Sequence, residues 1–346
     1  MPSLSVGLIG YGYSGQTFHA PVLSTIPDLR LAAIVTSQPN KAATDWPEAT
    51  LYNKVEDLLS DEAIDLVVVA SPNTLHFDHA RRALEAGKHV VLEKPVTLDS
   101  RMAGDLTRLA RAQGLIYCPF HNRRWDGDFL TVRRILAEAL LGEVHSFESR
   151  IDRYRPQVRD RWRERDLPGS GLLYDLGPHL VDQVLVLFGP PVTLWAQIRR
   201  LRYGSPVDDD FLLVLGYPGR RVVLGASMVI RAPGPRFTIH GDRGSFVKYG
   251  MDPQEEALKA GGRPDGPEWG ADDPSRYGLL SGAAEGSAYG IPTETGQYQA
   301  FYQKLATAII QGGDPPVPAT AGRDSLWAIE LALESERSGR CLAWEA

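Results

Sequence analysis

A short apolar run, Leu4–Ile9, leads without a gap into Gly10-Tyr11-Gly12-Tyr13-Ser14-Gly15. A strand that ends in G-x-G-x-x-G and opens a helix constrains a fold tightly, because each glycine has its own steric duty. The first permits the tight turn, the second lets backbone approach a pyrophosphate, and the third lets helix and strand pack closely, while the helix N-terminus presents free N–H groups and a positive dipole end. The context that follows strengthens the motif. Further candidate strands, Leu29–Val35, Thr50–Tyr52, Leu66–Val69, His89–Leu92 and Leu115–Cys118, alternate with helical stretches, the clearest being Leu75–Ala86, closed by Gly87, and Ser100–Gln113, opened by Asp99 or Ser100 and closed by Gly114. Strand, helix, strand at this spacing predicts a Rossmann-type, doubly wound parallel sheet. A glycine-rich turn in some other doubly wound protein is the competing reading.

Beyond about residue 120 the texture changes. A helix around Asp128–Leu140, an Arg-rich segment and a helix around Leu173–Phe188 precede consecutive β-rich runs at Val192–Leu201, Asp210–Gly216, Arg221–Val229, Arg236–His240 and Ser245–Lys248. Strands in succession without intervening helices predict a mostly antiparallel open sheet in an α+β domain. Gly250–Gly296, rich in Gly, Pro and Asp, reads as a long excursion with little regular structure, and helices at about Tyr298–Gln311 and Arg323–Ser338 finish the chain. The 346 residues therefore divide into a dinucleotide-binding domain, 1–120, and an α+β domain for catalysis, substrate and oligomerisation, 121–346.

Lys+Arg 37 against Asp+Glu 43 leaves a net charge of -6, the wrong sign for a phosphate-backbone partner, so nucleic acid is not expected. The two cysteines, Cys118 and Cys341, make no disulfide framework and have no companions at metal-ligand spacing, so no metal is expected and a reducing cytoplasm is. No basic residue precedes Arg30 and no apolar run reaches the roughly 18 residues of a membrane span, which disfavours secretion and membrane insertion.

In an NAD site the turn after the second strand carries an acid for the ribose hydroxyls. Here it reads Val35-Thr36-Ser37-Gln38-Pro39-Asn40-Lys41. Thr36, Ser37 and Lys41 can accept a 2′-phosphate that a carboxylate would repel, which favours NADP and leaves NAD possible; a polar turn with a solvated lysine fits the same residues. Two further strand ends project Ser71-Pro72-Asn73 and Glu93-Lys94-Pro95. Ser71 and Asn73 can border the nicotinamide half or simply start a helix, and His76 can approach the cofactor or serve the same helix start. Lys94 is held between a strand end and a proline, with Glu93 as charge partner. Further on, Asp175 and His179 stand at i, i+4 and share a helix face beside Tyr174. An exposed pair would satisfy that spacing, but the apolar Leu180–Phe188 that follows makes the helix a buried one, and a histidine there can take a hydroxyl proton as hydride leaves the same carbon.

The glycine turn, Glu93-Lys94-Pro95 and the Gly169-Ser170-Gly171 turn leading to Asp175-x-x-x-His179 resemble the Gfo/Idh/MocA oxidoreductases over essentially the whole chain. Phe18-His19-Ala20-Pro21, His121-Asn122-Arg123-Arg124-Trp125-Asp126 and Arg161-Trp162-Arg163-Glu164 are similar to the branch that includes NADP-dependent scyllo-inositol dehydrogenase. The resemblance implies an oxidoreductase moving hydride between nicotinamide C4 and a secondary alcohol or ketone carbon of a polyol, inositol or sugar. It implies a catalytic group of Lys94, bonding the reacting oxygen, His179 as acid/base and Asp175 as orienting residue. It also places Trp162 and Arg163 on the nicotinamide side and Asn122 beside the active site, and implies a homodimer or homotetramer through the second sheet. Glucose-fructose oxidoreductase has a long arm ahead of its first strand; only about three residues stand there in this chain, which predicts exchangeable cofactor.

Two other functions fit parts of the pattern. A non-catalytic nicotinamide-nucleotide sensor would need only the glycine turn, and cofactor-assisted glycoside hydrolysis would need tightly retained cofactor. The seven arginines between Arg150 and Arg165, interleaved with acids, read as a solvated and partly paired face, Asp208-Asp209-Asp210 as a solvated turn, and His19 as a local hydrogen-bonding residue.

Overall fold

The computed structural model describes residues 3–282 and 288–345. The chain gathers into two units: Met1–Trp125 with Pro253–Gly270 and Gln297–Arg323, and Asp126–Asp252 with Ala271–Gly296 and Asp324–Ala346.

In the first unit six parallel strands, β1 (Leu4–Ile9), β2 (Leu29–Val35), β3 (Thr50–Tyr52), β4 (Leu66–Val69), β5 (His89–Leu92) and β6 (Tyr117–Pro119), lie in the order β3-β2-β1-β4-β5-β6. This is the doubly wound order with its switch point between β1 and β4. The connecting helices are α1 (Ala20–Leu23), α2 (Pro39–Asp45), α3 (Val55–Leu59), α4 (Asn73–Glu85) and α5 (Ser100–Ala112). Central strands sandwiched by helices must be apolar throughout, and β4, Leu-Val-Val-Val, is wholly buried. Asp99 caps α5 by accepting from Met102 N. Because all strands run one way, their carboxyl ends share an edge, where the turns at Gly10, Thr36, Ser71 and Glu93 stand.

The second unit is built on nine strands in the order β14-β13-β12-β11-β7-β10-β9-β8-β15. They are β7 (Val144–Asp152), β8 (Thr193–Arg199), β9 (Asp210–Tyr217), β10 (Arg220–Ser227), β11 (Phe237–Gly241), β12 (Gly244–Lys248), β13 (Gly278–Gly282), β14 (Ala288–Ile291) and β15 (Leu342–Ala343). Every pairing is antiparallel except β7 with β10. Helix α6 (Gly127–Ala137) precedes the sheet and α7 (Leu172–Phe188) packs on it. One row across the inner face, Leu194, Leu215, Val222, Phe147, Ile239, Phe246 and Leu280, is buried against α7 residues such as Leu176, Leu180 and Val184.

Three expectations need correction. The Arg-rich segment begins as the nine-residue β7, whose charges alternate with buried Val144, Phe147, Ser149 and Ile151. The 250–296 excursion carries α8 (Gln254–Lys259), β13 and β14; residues 283–287 of it lie outside the described residues. The division at residue 120 also fails, because the chain returns twice to the first unit. Gln254, fully buried, bonds Trp125 O through Nε2 at 3.1 Å and accepts from Tyr298 N at 2.7 Å and Trp269 Nε1 at 3.0 Å. Helix α9 (Tyr298–Gln311) then places Phe301, Tyr302 and Leu305 in the first core, Phe301 edge-on to Phe120 with ring centroids 4.9 Å apart. The last helix, α10 (Ala319–Ser338), leads into the second unit. Among the described residues no helix is long and apolar enough to cross a membrane.

The return of the chain within the second unit is locked by a buried charge. Lys248 Nζ is bonded by Asp272 Oδ2 at 2.8 Å and by the carbonyls of Tyr249 at 2.9 Å and Arg276 at 2.7 Å. Removing one partner of such a pair strands a buried charge, so Asp272→Ala is expected to lower unfolding free energy by about 3–5 kcal/mol in urea titration. A loss below about 1 kcal/mol would place the lock outside the fold's main supports.

Candidate active site

Gly10 has φ +101°, and a Cβ there would meet the Ala70 carbonyl oxygen at 2.5 Å; a Cβ on Gly15 would meet Gly10 O at 2.3 Å. Both positions exclude any side chain. Beside Gly12 no heavy atom stands within 4 Å of where a Cβ would be, so the turn leaves open the space a pyrophosphate needs. The turn opens a helix that winds as a π-helix over Gly15–His19 and continues as α1. Ser14 turns its hydroxyl to Glu93 Oε1. Tyr11 points inward, its hydroxyl donating to Asp45 Oδ2 at 2.8 Å and accepting from Trp46 Nε1 at 2.8 Å, so its backbone alone can face a nucleotide. Tyr13 is half exposed, its ring 5.9 Å from that of Phe18.

The turn after β2 holds no carboxylate. Thr36 Oγ1 accepts from Gln38 N at 2.9 Å, Ser37 is exposed, and the Lys41 ammonium lies 2.5 Å from Gln16 Oε1. Asp45, the next acid, is occupied with Tyr11. These groups fit a dinucleotide.

At the next two strand ends, Ser71 Oγ is 3.0 Å from His79 Nδ1, Asn73 is buried at the start of α4, and His76 lies 2.8 Å from both Pro95 O and Ser71 O. Burial holds the His76 imidazole below its usual value, and the neutral ring donates to one of these two carbonyls. Glu93 is buried between His19, Ser14 and its own neighbour's amide, Lys94 N, which donates to Oε2 at 3.0 Å. Burial alone would raise the Glu93 carboxyl, but the His19 hydrogen bond, the charges of His19 and Lys94 and the Ser14 hydroxyl outweigh it and hold it down to about 2. Lys94 precedes a cis proline. Asn122 is buried in the short helix Asn122–Trp125 that closes this stretch.

In the second unit α7 carries Asp175 in its first turn and His179 one turn on, where the ring is 5% exposed. Arg163 Nε lies 3.4 Å from Asp175 Oδ1, and its guanidinium covers the Trp162 ring at 4.8 Å, so Arg163 links the two. One turn beyond His179, Gln183 Oε1 accepts from Arg236 Nη2 at 2.8 Å; the buried Arg236 also bonds Ser149 and pairs with Asp128 at 3.7 Å. Among the described residues no three His, Cys, Asp or Glu side chains form a metal-binding group.

The reading of Asp208-Asp209-Asp210 as a solvated turn is wrong. Asp209 is fully buried on Arg202, Nε to Oδ2 at 3.0 Å, and Asp210 bonds Arg199 at 2.9 Å. Asp208 caps α7 from outside the helix: its carbonyl accepts from Leu172 N at 3.0 Å and its Oδ2 from Leu173 N at 2.7 Å. Gly171, φ +94°, lets it in, since a Cβ there would lie 1.9 Å from Asp208 Oδ1. The missed signal was local. An apolar helix that starts after glycine has no side-chain cap of its own and must find an acceptor elsewhere. Asp208, Asp175, Arg163, Arg161 and Arg202 line a shallow cleft.

Comparison with known proteins divides the chain into two continuous segments, so that 253–270 and 297–323, which pack in the first unit, fall within the second match. Residues 4–121 match the family model described as "Oxidoreductase family, NAD-binding Rossmann fold", GFO_IDH_MocA, and residues 133–344 match its "C-terminal alpha/beta domain". The chain is 47% identical over 346 residues to the uncharacterized oxidoreductase YdgJ of Escherichia coli, covering 99% of each. It is 39% identical to the scyllo-inositol 2-dehydrogenase (NADP(+)) IolW of Bacillus subtilis, covering 99% of this chain and 96% of that one. The solved structure of the putative oxidoreductase yvaA from Bacillus subtilis superposes with a TM-score of 0.97 at 38% identity, covering 99% of each chain.

Burial pushes the Asp208 carboxyl up to about 6, with Leu173 N–H and Leu172 N–H opposing it and the Asp209 charge adding to it. A carboxyl whose pKa is higher folded than unfolded binds more protons in the folded state, so its contribution is present at low pH and is lost as pH rises through about 6. Asp208→Asn keeps an acceptor for Leu173 N–H without the charge. Between pH 4 and 7 the parent is expected to lose about 2–3 kcal/mol relative to this variant in chemical denaturation; parallel curves would refute the buried charge.

Proposed function

The chain belongs to the Gfo/Idh/MocA oxidoreductase family, and from that premise we propose that it is an NADP-preferring dehydrogenase acting on a secondary alcohol or ketone carbon of a polyol, inositol or sugar. The observation that carries the reading is that the open glycine turn, a strand-end lysine, and a partly buried Asp175 with a buried His179 one helical turn on all stand in one chain. When bound, the nicotinamide supplies the hydride acceptor or donor. Gly10, Gly12, Gly15 and the backbone of Tyr11, Tyr13 and Ser14 would hold the pyrophosphate half, with Thr36, Ser37 and Lys41 at the 2′-phosphate and Ser71, Asn73, Asn122, Trp162 and Arg163 toward the nicotinamide.

In this reading the His179 imidazole takes the hydroxyl proton as the carbon is oxidised and returns it in the reverse direction. The Lys94 ammonium donates to the same oxygen and steadies the charge that develops on it. Asp175, with the Arg163 counter-charge at 3.4 Å, orients the reacting group. Support for the inositol class and for NADP comes from the printed name of the Bacillus subtilis relative. The absence of a carboxylate after β2 supports NADP independently, because an acid there would repel the 2′-phosphate.

The outer face of the second sheet supports a second proposal, that two or four copies associate through it. A row across seven strands, Trp195, Val214, Val223, Glu148, Thr238, Val247 and Leu279, is mostly apolar and only half-buried, apart from the exposed Leu279 at its end. The cytoplasm, where Cys118 and Cys341 would stay as the free thiols they are here, is the proposed compartment.

A coupled screen over inositols, aldoses and their keto forms with NADP and NAD tests the function. Turnover with NADP is expected to exceed that with NAD, and Ser37→Asp to lower kcat/KM for NADP by about tenfold or more through charge repulsion. His179→Ala is expected to cost about 10²–10⁴-fold in kcat with cofactor affinity kept; undiminished turnover in that variant removes His179 as the acid/base. Val223→Glu is expected to reduce the molecular mass seen in sedimentation, and an unchanged mass would exclude this face.

A further inference from the structure

An unbroken line of buried polar contacts crosses the first unit from α9 to the strand end that carries Lys94. Tyr302 Oη lies 2.5 Å from His19 Nδ1, His19 Nε2 lies 3.0 Å from Glu93 Oε1, and Glu93 Oε2 accepts from Lys94 N at 3.0 Å. His19 and Tyr302 are fully buried. A carboxylate only accepts, so Nε2 carries the proton that His19 gives to Glu93. The other ring nitrogen, Nδ1, has the Tyr302 hydroxyl as its partner, so both sides of the imidazole are held. Ser14 donates to the same carboxylate from the glycine turn.

We infer that Tyr302 and His19 are positioning residues for Lys94: through Glu93 they fix its backbone and hold a negative charge beside its ammonium, with the glycine turn tied to the same carboxylate. The inference rests on the reading of Lys94 given above. It assigns a role to α9, which stands outside the residues 4–121 that match the nucleotide-binding half of the family. The reading of His19 as a local hydrogen-bonding residue is corrected: its partners are 74 and 283 positions away along the chain.

The groups that face Glu93 are His19 from the helix after the glycine turn, Tyr302 from α9, His76 from α4 and Lys94 beside it. Cys118 of β6 bears on Tyr302. In the intact protein burial works against ionisation of Glu93, and the His19 contact is the first of the effects that overcome it. Without His19, burial is opposed only by Lys94 and Ser14, and the carboxyl moves up toward the working pH range. Once it is protonated, the Lys94 ammonium loses its neighbouring charge.

The test is kcat and KM from about pH 5 to 9 for the parent, Tyr302→Phe, His19→Leu, His19→Gln and Lys94→Met, each checked for folded fraction by thermal melting. His19→Leu is expected to lower kcat about ten- to a hundredfold, the factor for one lost charge-assisted buried hydrogen bond, and to move the acid limb of kcat to higher pH than in the parent. His19→Gln, which keeps one acceptor and one donor, is expected to recover most of both, and Tyr302→Phe to fall between. Should His19→Leu not fold, Tyr302→Phe, which removes a single oxygen, decides alone. Parent-like kcat and pH profiles in the Tyr302 and His19 variants beside an inert Lys94→Met overturn this inference alone, as does an equal loss in Leu and Gln variants with no change of profile. Turnover retained in Lys94→Met overturns the reading of Lys94 and this inference with it.

Discussion

A carboxylate taken out of water must be met by donors and positive charge, or it surrenders its ionisation. Glu93 imposes that demand on the first unit. Its oxygens gather the glycine turn through Ser14, the following helix through His19 and its own strand end through the Lys94 amide. Two segments distant in sequence, 14–19 and 93–94, are thereby held at one edge of the parallel sheet. The aromatic packing follows suit: His19 lies against Phe120 with ring centroids 4.3 Å apart, and Phe120 against Phe301 of α9.

In the second unit the corresponding demand comes from a helix end. The first N–H groups of α7 have no partner within the helix, and Gly171 offers none. Asp208 meets them from the start of a strand, while Arg236 grips Gln183 one turn past His179. The helix that carries Asp175 and His179 is thus held both before and after them. Arg202, buried between Asp209 and Glu164, ties the segment with Trp162 and Arg163 to the same support.

Much of the first unit was legible because its physics is local. Strands β1, β2, β4 and β5 are apolar β-branched runs with turn residues at both ends, and their limits agree with the structure to the residue. The antiparallel character of the second sheet was legible from consecutive β runs. Strand β7 was not, since His145, Glu148 and Arg150 masked an alternation of buried residues. The positions of Lys94, Asp175 and His179 at a strand end and along one helix could be read from spacing. Their supports could not: Asp208 looked like one of three solvated acids, and nothing in the sequence around Tyr302 points to a histidine at position 19.

The interleaving of the units has a consequence for synthesis. Phe301, Leu305 and Val317 belong to the same core as Val6 and Leu8. A nascent chain that has emerged only as far as Trp125 therefore exposes apolar surface that α9 covers only after some 170 further residues are added. The half of the protein that is translated first is among the last to be finished.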